Sequence, residues 1–148
     1  MHILFVCHGN ICRSPMAEFV MKEMVKQRRL DIHVESAATS TEELGNPVHP
    51  GTRRKLSEHG ISCKGKTARQ ITRQDYQEFD LIIGMDEWNM HNLERLFPGD
   101  PEGKLYKLLS FCEDGRDVAD PWYTGDFEAT WQDVNRGCAA LLDRLERS

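Results

Sequence analysis

Cys7 and Arg13 bracket a short loop, Cys7-His8-Gly9-Asn10-Ile11-Cys12-Arg13-Ser14, that follows the apolar run Ile3-Leu4-Phe5-Val6. The run reads as a buried strand that delivers Cys7 onto the loop. The loop ends at Ser14-Pro15, where a helix is expected to begin. Successive backbone N–H groups in such a turn converge on one point, and the helix N-terminus adds positive potential there. A cradle of this kind favours the anionic form of a thiol and attracts a phosphate. The Arg13 guanidinium can hold two oxygens of that phosphate at once. Nucleophile, anion cradle and arginine together are the requirements of phosphoryl transfer to sulfur.

The spacing alone decides nothing, because the Cys-x5-Arg pattern occurs three times: Cys7/Arg13, Cys63/Arg69 and Cys138/Arg144. Context separates them. Cys138 to Arg144 reads as helix interior, which leaves no loop to cradle an anion. Cys63 has no strong apolar strand ahead of it and no clear helix cap behind. Only Cys7 has a strand, the pair Gly9-Asn10 able to take unusual backbone angles, and a Ser-Pro helix start.

An acid for the leaving group is harder to choose. Asp114, Asp117, Asp120 and Asp126 crowd one segment, and Asp120-Pro121 is also an ordinary turn pair. The aromatic neighbours Trp122 and Tyr123 raise the standing of Asp120. Trp122 is equally readable as a core residue.

The remaining elements must hold these residues. Apolar runs at Ile3–Val6, Ile32–Ala37, Leu81–Met85 and Leu105–Leu109 read as strands, with helical stretches between them. Two of the runs are continuous rather than alternating, which suits a parallel sheet covered on both faces. The first helix is expected over about residues 14–29, capped by Ser14, whose hydroxyl can equally donate to the Cys7 thiolate, with Glu18 near its positive end. A second, over about residues 50–59, stops at Gly60. Thr72 and Asp86 are expected to cap the helices that follow them. Phe127, Trp131, Val134, Cys138, Leu141 and Leu145 form one apolar stripe on a last helix capped by Asp126. The expected fold is α/β: a doubly wound four-stranded parallel sheet with helices on both faces and the phosphate loop after strand one. Ligands in such sheets bind at the carboxyl ends of the strands, where Cys7 lies.

The 148 residues fit a single domain, and a net charge of -5 argues against a nonspecific nucleic-acid partner. Residues 3–6 are too short for a secretory leader, and no segment approaches a membrane span. Five cysteines, an odd count without framework spacing, fit a reducing cytoplasm. His2, His8, His33, His49, His59 and His91 are scattered, so neither a metal nor any other cofactor is expected. A monomer is the expected state. Cys12 shares the loop with Cys7, and peroxide is expected to join the two reversibly.

The string Cys-x-Gly-Asn-Ile-Cys-Arg-Ser-Pro-Met-Ala-Glu over residues 7–18 resembles the low-molecular-weight protein tyrosine phosphatases, and Thr-Glu-Glu-Leu-Gly-Asn-Pro (41–47) and Trp-Tyr-Thr-Gly-Asp (122–126) look like their bacterial form. Ser36-Ala37-Ala38-Thr39-Ser40, Gly45-Asn46-Pro47, Ala68-Arg69-Gln70-Ile71, Met85-Asp86 and Asp120-Pro121-Trp122-Tyr123 also look like that family, in the right order. The resemblance implies hydrolysis of phosphotyrosine, and of small aryl phosphates, through a phosphocysteine on Cys7. It implies Arg13 as the phosphate clamp and Asp120 as the general acid. It also implies a phosphate-binding loop of His8, Gly9, Asn10, Ile11, Cys12 and Ser14, with Ser36 in support. The implied substrate rim is Glu42, Trp122 and Tyr123, and the implied partner is a phosphotyrosine protein, with a tyrosine kinase as one candidate.

Two departures stand out. Eukaryotic members often have an aromatic residue where this chain has Glu42, and many relatives carry a histidine near Lys66. Two relatives of the same fold compete as readings. Protein arginine phosphatases resemble this loop but carry threonine in place of Ile11. Arsenate reductases need two further cysteines after the third strand, where this chain reads Gly84-Met85-Asp86-Glu87-Trp88-Asn89.

Overall fold

The structure, a computed structural model, describes residues 1–147. Its centre is a parallel sheet of β1 (His2–Cys7), β2 (His33–Ala38), β3 (Leu81–Gly84) and β4 (Leu105–Lys107), in spatial order β2-β1-β3-β4. The chain winds outward from β1 in both directions, so the order reverses between β1 and β3 at the carboxyl edge. In register, Cys7 pairs with Ala38 and Val6 with Gly84, which places the end of β1 between two neighbours on that edge.

β1 is buried from Ile3 to Cys7 because it has an apolar layer on each side. Ile3, Phe5 and Cys7 face a core built with α1 (Arg13–Gln27), α2 (Pro50–Glu58) and α6 (Phe127–Arg147). Leu4 and Val6 face the opposite core, with Tyr76 of α3 (Arg73–Glu78) and Leu93 of α4 (Glu87–Leu96). A strand that alternates between two apolar layers has no polar face, which is why its sequence reads as continuous. The short α5 (Pro121–Thr124) precedes α6.

Several local expectations hold. Thr72 and Asp75 form a reciprocal capping box on α3, and Asp86 accepts from the Asn89 N–H at the start of α4. Asp126 accepts from the Ala129 N–H at the head of α6, and Gly60 takes a positive φ after α2. Others need correction. Residues Leu108 and Leu109 leave the sheet for a single 3-10 turn (Leu108–Phe111), because both are drawn fully into the core. Ser14 lies inside the first helix, not at its cap. The N-cap is Cys12, which makes no side-chain bond there. Glu18 does not serve the positive end of that helix; it accepts from Ser36 Oγ and pairs with Lys22 and Lys66.

The last helix seats on the 3-10 turn through a glycine. A Cβ built at Gly137 would stand 2.5 Å from Leu108 Cγ, and Leu108 is completely buried. Gly137→Ala is therefore expected to destabilise the fold by about 1–3 kcal/mol, although alanine is the better helix former. Urea unfolding checks this; an unchanged midpoint would show that Leu108 repacks freely.

Candidate active site

The loop after β1 is shaped by what its carbonyls meet. The Cys7 and His8 carbonyls accept from the N–H groups of Thr39 and Ser40, and Ser40 Oγ also donates to His8. The Ile11 carbonyl accepts from the His49 N–H and the Cys12 carbonyl from Thr52 Oγ1, both at the start of α2. With the carbonyls bonded outward, the N–H groups of Gly9, Ile11, Cys12 and Arg13 have no acceptor among the described residues. Together with the uncapped head of α1 they make a nest of donors.

Asn10 closes the turn in the left-handed region, with φ 60°. Gly9 does not, and its value lies in space: a Cβ there would stand 3.3 Å from Glu43 Cγ. The Asn10 side chain, almost wholly buried, ties the loop to three elements. Its Nδ2 donates to Ser14 Oγ at 2.8 Å and to Ser36 Oγ at 2.9 Å, while its Oδ1 accepts from the Arg69 N–H. Because Ser14 accepts from Asn10, its own proton is free for Cys7 Sγ, 3.0 Å away. The Asn10 N–H also donates to that sulfur, at 3.3 Å. Two donors thus stabilise negative charge on Cys7.

The Ser36 hydroxyl donates to Glu18 Oε1, and Glu18 in turn pairs with Lys66 at 3.2 Å. Lys66 Nζ also donates to the Ser36 carbonyl. Burial pulls the Lys66 ammonium down, against the opposing pull of Glu18. Lys66 therefore supports the loop from beneath, through Glu18 and the Ser36 carbonyl.

Arg13 is 3% exposed. Its Nη1 donates to Asp86 Oδ2 at 2.8 Å and to the Val118 carbonyl at 3.2 Å, and its Nη2 lies 3.3 Å from Asp120 Oδ2. Burial works against its charge, but Cys7, Asp86 and Asp120 together raise its pKa. Asp86 uses one oxygen on Arg13 and the other on the Asn89 N–H of α4. Asp120 accepts from the Trp122 N–H and so caps α5, which sets Trp122 and Tyr123 beside it. Burial pushes the Cys12 thiol up to about 12, with the charge of Cys7 as the next cause.

These residues surround a cavity of about 450 Å³. Cys7, His8, Gly9, Ile11, Cys12 and Arg13 form its floor, and Glu42, Asp120, Trp122 and Tyr123 its rim. Asn10, Ser14 and Ser36 lie behind the floor and do not line it. Trp122 is 64% exposed and Tyr123 85%, so the core reading of Trp122 does not hold. Sequence reasoning missed three contributors. Asp86 was legible as a helix cap but not as the partner of Arg13. Trp88 and Asn89 line the cavity from α4, and Asn89 Nδ2 is buried without a partner. No spacing rule links residue 88 to residue 7; only the adjacency of β1 and β3 does.

The other two Cys-x5-Arg pairs hold no cradle. Arg69 is turned to Asp75, and Cys138 is fully buried inside α6. Cys63 borders a separate groove of about 590 Å³ between α2 and the segment after it. No group of three His, Cys, Asp or Glu side chains among the described residues could hold a metal ion.

The chain matches the family described as low molecular weight phosphotyrosine protein phosphatase over residues 2–148. A low molecular weight protein-tyrosine-phosphatase of Bacillus subtilis, YfkJ, is 40% identical over 98% of this chain and 96% of its own. The crystal structure of YfkJ superposes with a TM-score of 0.94, covering 99% of this chain and 95% of the other. That of a low molecular weight protein tyrosine phosphatase from Streptococcus pyogenes gives 0.86 at 48% identity, covering 97% and 92%. A Drosophila arginine phosphatase gives 0.89 at 32% identity, covering 98% of each chain.

Proposed function

The chain belongs to the low molecular weight phosphotyrosine protein phosphatase family, and we propose that Cys7, Arg13 and Asp120 carry its reaction. The activity is that of the family: hydrolysis of phosphotyrosine through a phosphocysteine intermediate. The observation that carries the assignment is convergence. Cys7 Sγ accepts from the Asn10 N–H and lies 3.0 Å from the Ser14 hydroxyl, while Arg13 and Asp120, 3.3 Å apart, line the same cavity.

In the first step Cys7 Sγ attacks phosphorus in line, and the bond from phosphorus to the phenolic oxygen breaks. Asp120 gives its proton to that oxygen. Arg13 and the loop N–H groups follow the equatorial oxygens into the transition state, where their preorganisation counts most. In the second step Asp120 takes a proton from water, the water oxygen attacks phosphorus, and the sulfur leaves with the Ser14 hydroxyl beside it. Asp86 holds Arg13 in place and Asn10 holds Ser14. Residues 1–148 act as a single phosphatase domain, without a metal.

The ring of tyrosine enters between the aromatic side chains and the acidic Glu42. Ile11 on the floor supports phosphotyrosine over phosphoarginine, whose phosphatases carry threonine there. The reductase alternative finds no cysteine between Gly84 and Asn89 to relay a disulfide. The five free cysteines support a reducing, cytoplasmic setting, and no helix among the described residues is long and apolar enough to cross a membrane. The substrate is a phosphotyrosine protein, with a tyrosine kinase or its phosphorylated tail as a candidate. The protein acts as a monomer.

Hydrolysis of p-nitrophenyl phosphate under reducing conditions tests the reading. Vanadate is expected to block it, Cys7→Ser to abolish it, and Arg13→Ala to lower kcat by about a hundredfold or more. Activity retained by Cys7→Ser would move the nucleophile elsewhere. A rise in KM alone for Arg13→Ala would place that residue in uniform binding.

Asp120→Ala is expected to cost most for substrates whose leaving phenols have high pKa. A loss independent of the leaving group across a series of aryl phosphates would point to another acid.

Mild peroxide is expected to convert Cys7 to a sulfenic acid, releasing water. The Cys12 thiol then displaces a second water and forms the disulfide. Oxidation also removes the anionic neighbour that helps hold the Cys12 thiol up. Mass mapping should find the Cys7–Cys12 link, reversible by dithiothreitol; Cys7 sulfinic acid as the sole product would refute it.

A further inference from the structure

The mouth of the cavity contains a residue that the mechanism does not use. Trp88, in the first turn of α4, is 62% exposed yet lines the cavity. It stacks on His91 with ring centroids 5.4 Å apart and planes 21° apart. One face of the indole is thereby covered by the imidazole. Trp122 and Tyr123 reach the same cavity from α5, so aromatic walls stand on two different elements. Exposed apolar residues gathered around one opening mark a docking surface rather than scattered surface chemistry.

The charge of that surface selects its occupant. The cationic group of the floor, Arg13, is engaged by Asp86 and Asp120. At the rim, the Glu42 side chain is 69% exposed and hydrogen-bonds one oxygen to the His8 ring, and the Glu43 carboxylate has the Asn46 amide as its one hydrogen-bond donor among the described residues. Glu87, beside Trp88, is already paired with Lys107. The mouth is therefore aromatic and negative around a floor built for an anion. A phosphate enters the floor, and a cation fits the rim, over an indole face and near the carboxylates.

We infer that Trp88, together with Glu42 and Glu43, is specificity-determining and selects phosphotyrosine segments that carry lysine or arginine beside the phosphotyrosine. The inference rests on the assignment of the Cys7 loop as the reaction centre. Trp88 acts on the flanking segment and takes no part in the chemistry at phosphorus.

The test compares two synthetic phosphotyrosine peptides that differ only in flanking residues, lysine in one and glutamate in the other. Wild-type kcat/KM is expected to favour the lysine peptide by about fivefold at low ionic strength, chiefly through KM, and the ratio should shrink with added salt. Trp88→Ala should bring the ratio toward one, losing more on the lysine peptide than on p-nitrophenyl phosphate. Glu42→Gln with Glu43→Gln should do so by improving the glutamate peptide. A wild-type ratio of one or below overturns the inference. So does an equal loss by Trp88→Ala on both peptides and on p-nitrophenyl phosphate. A specific activity that falls with protein concentration, and is restored by Trp88→Ala, would assign the surface to a second copy of this chain instead. A protein inert toward both peptides and p-nitrophenyl phosphate would overturn the assignment of the Cys7 loop itself, a result distinguishable from loss of preference alone.

Discussion

Everything at the site depends on the outward hydrogen bonding of four loop carbonyls, those of Cys7, His8, Ile11 and Cys12. A peptide loop left to itself turns some carbonyls inward, and a single inward oxygen would repel both a thiolate and a phosphate. Here Thr39, Ser40, His49 and Thr52 take those carbonyls from outside. The donors belong to the segment after β2 and to the start of α2. The loop thus has its electrostatic character only when two other parts of the chain are in place.

A second layer of order lies beneath. The run Cys7–Ser14–Asn10–Ser36–Glu18–Lys66 is continuous and buried as far as Glu18. Asn10 is the hinge of the arrangement. Its amide orientation is set by the Arg69 N–H, which only the carbonyl oxygen can accept. Lys66 closes the chain with a positive charge on Glu18.

The cavity is electrically stratified. Its floor carries Arg13 and converging N–H dipoles. Asp86 and Asp120 occupy the next level, each serving Arg13 while capping a helix. The outermost level is acidic and aromatic. This layering lets a compact acidic protein bind an anion: the favourable field is local, made by a buried guanidinium and oriented dipoles rather than by net charge.

Cys7, Arg13 and the helix start after them are contiguous, so their chemistry is readable from order and residue type alone. The two-sided burial of β1 is equally plain in Ile3–Val6, because a strand between two apolar layers carries no polar face. The stripe on α6 and the caps at Thr72, Asp86 and Asp126 are local signals of the same kind. Resemblance to known relatives, rather than spacing, raised Asp120 above its acidic neighbours. What only the tertiary structure decided depends on strand order. Placing β3 next to β1 brings Asp86 to Arg13 and Trp88 to the mouth, and no periodicity in the chain encodes that adjacency. It likewise decided between the two roles open to the Ser14 hydroxyl, donor to Cys7 and helix cap, in favour of the first. A hydroxyl bonds whatever acceptor the fold brings within reach, and only the folded chain sets that acceptor 3.0 Å away.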